Sequence, residues 1–138
     1  MIIDANNLIL GRMGAYVAKQ ALLGEKIDII NCEKSVISGK RHQVLAHYRK
    51  LFARGIHTKG PFYYRRPDMF VKRSIRGMLP YKRERGLKAF KNIKCYIGAP
   101  ASLSGKAITI KEANADKLQD VKFISVKELC MHVGAKIK

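Results

Sequence analysis

The first thirty residues confine the possible folds more than any other stretch. Met1-Ile2-Ile3 is a short apolar run closed by the turn-forming cluster Asp4-Ala5-Asn6-Asn7, which reads as a buried strand and a loop. From Gly11 to Leu23 the period changes: Met13, Val17 and Ala21 recur on one side, with Gly14 beside them. That spacing predicts a helix packed on a sheet, stopped by Gly24. Ile27-Asp28-Ile29-Ile30-Asn31 then reads as a strand buried on both faces. Strand, helix and strand within so short a span form a βαβ unit with a right-handed crossover, and so predict a parallel pair and an α/β fold.

The chain then turns at Cys32–Ser35 and extends briefly at Val36-Ile37. A long helix is expected from Lys40 to Arg54, its apolar stripe formed by Val44, Leu45, Tyr48, Leu51 and Phe52. Gly60 to Pro67 cannot be regular helix and predicts an extended basic loop. Pro67 suits the first turn of another helix, with Asp68 at its positive end. There Phe70, Val71, Ser74, Ile75 and Met78 are expected to face the core, and Lys72, Arg73 and Arg76 to share another face. After Pro80, a short helix from Glu84 to Asn92 should turn Leu87 and Phe90 one way and Arg85, Lys88 and Asn92 the other. Ile93–Ile97 reads as a strand, Ala107–Ile110 as an extended piece, Asn114 as the cap of a single turn and Lys122–Ser125 as a further strand. Ser125-Val126-Lys127-Glu128 has the form of a capping box opening a last helix, with Leu129 and Val133 inward and Gly134 as its stop.

Charge is segregated along this framework. Of the formal net charge of +18, residues 40–94 contribute +15, with 17 Lys or Arg against only Asp68 and Glu84. Residues 1–39 sum to zero and residues 95–138 to +3. Solubility is served by mixed signs, so a block this one-sided calls for a polyanionic partner. Arg forks match phosphate oxygens and stack on bases, while Lys acts as a point charge. Phe62, Tyr63 and Tyr64, just before Arg65 and Arg66, offer either stacking surfaces for unpaired bases or ordinary docking of the loop on its own protein.

Catalytic signals are missing. Leu10-Gly11-Arg12-Met13-Gly14 matches neither glycine-rich nucleotide fingerprint, although a helix N-terminus with Arg12 beside it can hold one phosphate. His42 and His47 are five apart and share no helical face; His57 and His132 stand alone, so no metal is expected. Glu112 and Asp116 could be helical neighbours, and they read as solvated surface residues. Cys32, Cys95 and Cys130 form no Cys-x-x-Cys pair, which disfavours disulfides and zinc and fits a reducing, intracellular setting. No run approaches a membrane span, no secretory signal is apparent, and the amphipathic stripes look core-facing rather than membrane-inserting. The alternative kept open is a small α/β enzyme acting on nucleic acid or nucleotide, which rests only on the glycine-started first helix.

One stretch is more specific. Arg73-Ser74-Ile75-Arg76-Gly77-Met78-Leu79-Pro80, with Arg85–Phe90 and Ile93–Gly98, closely resembles the signature of the L-thirteen family of large-ribosomal-subunit proteins. Ile3-Asp4-Ala5, Leu10-Gly11-Arg12, Ile30–Lys34 and Ile37-Ser38-Gly39 look like that family's first unit. Val121–Ser125 with its capped helix is similar to archaeal members, and Ala99-Pro100 stands where bacterial members have His-Pro. The resemblance implies a three-layer α/β/α fold with a small, mostly parallel sheet of about four strands, in one domain over residues 1–138. It implies a structural constituent of the large subunit, not an enzyme, that binds large-subunit ribosomal RNA through the 40–94 block and supports subunit assembly. Neighbouring large-subunit proteins are the other implied partners, in the cytoplasm, with no cofactor, membrane or homo-oligomer. Carried over by position, Arg73, Arg76, Gly77, Arg85 and Lys88 are expected at the RNA, with Met78 and Pro80 shaping the site. Charge and placement add Arg12, Lys40, Arg41, Arg65, Arg66, Lys72, Lys82 and Arg83.

Overall fold

The computed structural model describes residues 1–103, 105–118 and 122–137. Its elements are β1 (Ile2–Asp4), α1 (Leu10–Leu22), β2 (Ile27–Ile30), β3 (Val36–Ser38), α2 (Arg41–Phe52), α3 (Pro67–Gly77), α4 (Glu84–Lys91), β4 (Ile93–Cys95), β5 (Phe123–Ser125) and α5 (Val126–His132), with four short 3-10 turns between them. The fold is mixed α/β. β2 lies between β1 and β4, both parallel to it, with Ile29 opposite Ile3 on one side and Cys95 on the other. The sheet gains a fourth position through one parallel bridge, where the Ile108 N–H donates to the Ile2 carbonyl at 2.8 Å and the Ile108 carbonyl accepts from the Asp4 N–H at 3.1 Å. The expected extended piece at Ala107–Ile110 is therefore a single bridge rather than a strand. β3 and β5 form a separate antiparallel pair.

The βαβ expectation holds. Ile3, Ile27 and Ile29 are completely buried, and so are Met13 and Val17 on α1. Gly24 ends α1 with a φ of +100°, which glycine adopts without steric cost. Gly14 serves a contact between helices. A Cβ there would stand 3.0 Å from Sδ and Cε of Met78 and 3.6 Å from Ile75, so it permits close packing of α1 on α3 and the residue after it, not on the sheet. The first two strands are also clipped together past their ends. Asn31, in the left-handed region, donates from its side chain to Asp4 Oδ1 at 2.9 Å.

α2 follows its predicted stripe only in part. Leu45 alone is buried, and Val44, Tyr48, Leu51 and Phe52 are half-covered. Tyr48 meets Phe70 of α3, with ring centroids 5.2 Å apart, and Phe52 meets Tyr63 of the following loop at 5.4 Å. At α5 the capping box is half-made. Ser125 Oγ accepts from the Glu128 N–H at 3.2 Å, while the Glu128 carboxylate turns to Arg41 at 2.6 Å. Asn114 caps the turn Ala115–Lys117 as expected, accepting from the Asp116 N–H. Glu112 and Asp116 sit in two successive 3-10 turns and are not neighbours on one helix. Val121, the first residue of the run likened to archaeal members, lies outside the described residues.

Ile3, Val17, Val71, Ile75 and Leu129 belong to one cluster of buried side chains, against which Ile137 also packs. Ile75 is fully buried at the centre of α3. Ile75→Ala should therefore destabilise the fold by about 2–5 kcal/mol, read as a lower midpoint in urea denaturation with an unchanged slope.

Candidate nucleic-acid interface

α3 is where the basic block acquires a face. Pro67 opens it at a position where a missing N–H costs nothing, Asp68 lies in its first turn and Arg76 in its last, all matching the helix dipole. Phe70, Val71 and Ile75 are buried on the inner side. Lys72, Arg73 and Arg76 lie outside this core, but they are half-covered rather than free. Each cation rests on an aromatic ring. Lys72 Nζ is 5.0 Å from the Phe90 centroid, the Arg73 guanidinium 4.2 Å from that of Tyr63, and the Arg76 guanidinium 5.0 Å from that of Tyr81. Arg73 Nη1 also donates to the Phe62 carbonyl at 2.8 Å. The outer face is thus a set of oriented charges.

The break after α3 corrects two expectations. Met78 is not a core residue: it is 41% exposed, and its thioether lies over Gly14. Leu79 fills the core instead. On α4 the inner side is Gly86 and Ala89, while Leu87 is 47% exposed and Phe90 half-covered. The cause is steric. A Cβ on Gly86 would come 2.1 Å from the Pro80 carbonyl oxygen, so backbone meets backbone here and no larger side chain can face inward. In the sequence, the placement of Gly86 six residues after Pro80, in a short helix, is the only signal of this contact. Gly77 faces open space, while Pro80, Lys82 and Arg83 are exposed. Arg85 reaches the Leu22 carbonyl at 3.5 Å, and Lys88 pairs with Glu84 at 2.7 Å on the surface.

The loop before α3 divides its aromatics. Tyr63 is taken up between Phe52 and Arg73, which is docking on its own protein. Phe62 and Tyr64 remain 65% and 50% exposed. Arg66 pairs with Asp68 at 2.9 Å, and the Arg65 guanidinium lies beside Gly134 at the end of α5. The pairs of Arg41 with Glu128 and of Lys88 with Glu84 are exposed on both sides and worth little, so phosphate can compete for Arg41 and Lys88.

Arg12 and Lys40 belong to a second place. An open cleft of about 750 Å³ is lined by Arg12, Ser38, Lys40, Gln43, Lys117 and Lys122, among others, with no carboxylate among the described residues of the lining. Arg12 also reaches the Glu112 carbonyl at 3.4 Å, whereas Arg41 points to Glu128 instead. Lys117 and Lys122 were not legible as site residues, because the C-terminal segment that carries them adds only +3 of the net charge of +18.

Catalytic alternatives find no support at the usual place. In open α/β sheets ligands bind beyond the carboxyl ends of the strands, and here that edge is occupied by the protein's own polar groups. Asp4 Oδ1 accepts from Asn31 and from the Asn6 N–H at 3.0 Å, and Glu33 Oε2 accepts from the Gly98 N–H at 3.0 Å. A hydrogen bond with Cys95, then burial, holds the Cys32 thiol far above its ordinary range. Burial and the nearby Asp68 push Cys130 up to about 12. Neither is a thiolate nucleophile near neutrality. Among the described residues no His, Cys, Asp and Glu group could hold a metal, and no helix is long and apolar enough to cross a membrane.

The fold and its surface thus define a small α/β protein with oriented cations and no assembled catalytic group among the described residues. Residues 1–102 match the family model described as ribosomal protein L13. The chain is 47% identical over 137 residues to the large ribosomal subunit protein uL13 of Methanosarcina barkeri, covering 98% of each. It is 41% identical to that of Natronomonas pharaonis (99% of this chain, 92% of the relative) and 40% identical to that of Methanopyrus kandleri (96% and 86%). The chain belongs to the ribosomal protein L13 family, on its archaeal side, and is a structural protein rather than an enzyme.

Two outcomes test this geometry. Gly86→Ala should cost about 1–3 kcal/mol or more through overpacking against Pro80, measured by thermal unfolding. The raised Cys130 value means that the folded state holds a proton which the unfolded chain releases. Its stabilising contribution is complete below about 9 and is lost as pH rises toward about 12. Cys130→Ala should accordingly flatten the fall of stability with pH across that alkaline window, seen by denaturant titration of both proteins.

Proposed function

We propose that this chain is a structural constituent of the large ribosomal subunit, binds large-subunit ribosomal RNA directly through residues 40–94 and supports assembly of that subunit. The reading places it at the ribosome in the cytoplasm, beside other large-subunit proteins, and treats residues 1–138 as one domain. Family membership supports the subunit assignment. The observation that carries RNA contact is the outer face of α3 and its continuation into α4. There Lys72, Arg73, Arg76, Lys82, Arg83, Arg85 and Lys88 are presented with Glu84 as the sole exposed acid of the 67–94 stretch.

The mechanism is electrostatic. Each cation that meets a phosphate releases condensed counterions, so affinity falls steeply with salt. Arg73 and Arg76, already oriented by Tyr63 and Tyr81, lose little freedom on binding. Gly77 leaves its backbone open to close approach, and Met78 and Pro80 belong to the turn that brings Tyr81, the residue before Lys82 and Arg83, against Arg76. Arg65, Arg66 and Arg41 extend the surface, and Arg12 with Lys40 forms a second phosphate contact together with Lys117 and Lys122.

Arg76→Ala combined with Arg83→Ala should weaken binding to transcribed large-subunit RNA and lower the salt slope by roughly one per lost phosphate contact. The melting temperature should stay close to that of the parent, since neither side chain is in the core. Filter binding across a salt series measures both quantities. Unchanged affinity and slope would mean that this face does not meet RNA.

A further inference from the structure

The tyrosine–cation face contains a concavity unlike the second basic cleft. Between the loop before α3, α3 itself and α4 lies a slot of about 190 Å³, lined by Tyr64, Met69, Lys72, Arg73, Arg76 and Phe90. Its walls are aromatic and thioether; its charged members are all cations. A phosphate site has no use for Met69 and Phe90, because an ionic oxygen gains hydrogen bonds from N–H groups and nothing from apolar carbon. The cleft at Arg12 has one apolar side chain in its described lining, Leu118, and is otherwise formed by Ser38, Lys40, Gln43, Lys117 and Lys122 beside Gly39, a more polar composition of the kind phosphate prefers. The slot is also too small for a drug-sized ligand, whose pockets run to about 300–1,000 Å³.

We infer that this slot receives one unpaired nucleobase of the bound RNA, stacked on Tyr64 and seated over Met69 and Phe90, with Arg73 and Arg76 holding the adjoining phosphates. The inference rests on the RNA-binding reading above and specifies which part of the RNA that face recognises. A flat heterocycle has two apolar faces and a polar edge, which matches aromatic walls under a cationic rim. A base inside a duplex cannot reach such a slot; only an extruded or looped-out base can. Tyr64 is half exposed, and no ring of the protein is stacked on it among the described contacts, unlike Tyr63. Lys72 lies over the Phe90 ring, 5.0 Å from its centroid, and marks the slot's inner wall with a positive charge. Arg73 is fixed at two points, by the Phe62 carbonyl and the Tyr63 ring, so the rim is in place before a base arrives.

The test uses the full chain and transcribed large-subunit RNA, with affinity measured across a salt series. Tyr64→Ala should lose about ten-fold in affinity, within the roughly 5- to 150-fold range of one base–aromatic stack, with no change in salt slope. Tyr64→Phe should restore it, because the ring face and not the hydroxyl makes the contact. Ultraviolet crosslinking of the complex, followed by mass spectrometry, should place a nucleotide adduct on Tyr64 or Phe90. Parent-like affinity for Tyr64→Ala, or a loss that lowers the slope and is not restored by Phe, overturns the slot. Adducts found only elsewhere overturn it too. In each of these cases the RNA-binding reading is judged separately, since it fails only if Arg76→Ala with Arg83→Ala also leaves binding unchanged.

Discussion

Packing of α3 on α1 is the contact on which the rest of this structure depends. An isolated helix of eleven residues is marginal in water, and one carrying Lys72, Arg73 and Arg76 within two turns is further disfavoured by like-charge repulsion. α3 exists because Phe70, Val71 and Ile75 are removed from water against α1, the sheet and α5. Gly14 sets how close α1 comes, with the Met78 thioether 3.0 Å from where a Cβ would stand. The same contact anchors the turn through Leu79 and Pro80 that launches α4. The parallel sheet therefore acts as a foundation, and the cations are displayed by the layer built on it.

Display alone would leave long, mobile side chains whose ordering costs up to about 2 kcal/mol each. Aromatic rings reduce that cost. Lys72, Arg73 and Arg76 each lie within 5.0 Å of a ring centroid, and Arg73 adds a hydrogen bond to Phe62. Such contacts are weak at exposed sites, about 0.5–1 kcal/mol. They therefore orient the charge without neutralising it, and a stronger anionic partner can still claim it. A carboxylate in the same position would orient a cation equally well while cancelling it. The scarcity of acids in residues 40–94 and the abundance of tyrosine and phenylalanine there serve one purpose.

Much of the fold was legible in sequence, for reasons that separate it from what was not. β1, α1 and β2 announced themselves through period and turn residues because Ile3 of β1, three of the four residues of β2 and one side of α1 are buried. α3 was readable from Pro67, Asp68 and its apolar spacing, and the family signature at Arg73–Pro80 named the class. The inward direction of α4 was misread, since Leu87 is the larger apolar residue and Gly86 has no side chain to signal a contact. Only the distance from Pro80 explains it, and that is a property of the tertiary turn. Met78 was misplaced for a related reason: a flexible thioether can cover a glycine from a half-exposed position. The fate of Tyr63 and Tyr64 was equally hidden. Two adjacent tyrosines differ here only because one of them meets Phe52 and Arg73.

Charge counted along the chain and charge gathered in space also diverge. The block from 40 to 94 dominates the count, yet the cleft at Arg12 draws its cations from three separate segments, one of them with no net charge and one with only +3. Among the described acids of the C-terminal segment, Glu112, Asp116 and Glu128 do not line that cleft; Asp116 is engaged by Asn7 and Asn114, and Glu128 by Arg41. Neutralisation acts over a distance of about one Debye length, roughly 8 Å at physiological salt, so what matters is which acids stand within that reach. The two basic places also differ in kind. One is polar and open, suited to backbone phosphate of any conformation. The other has an apolar floor and favours RNA that has given up a base pair. A surface carrying both types of site is adapted to the junctions of a folded RNA, where paired and unpaired nucleotides meet, more than to a uniform duplex.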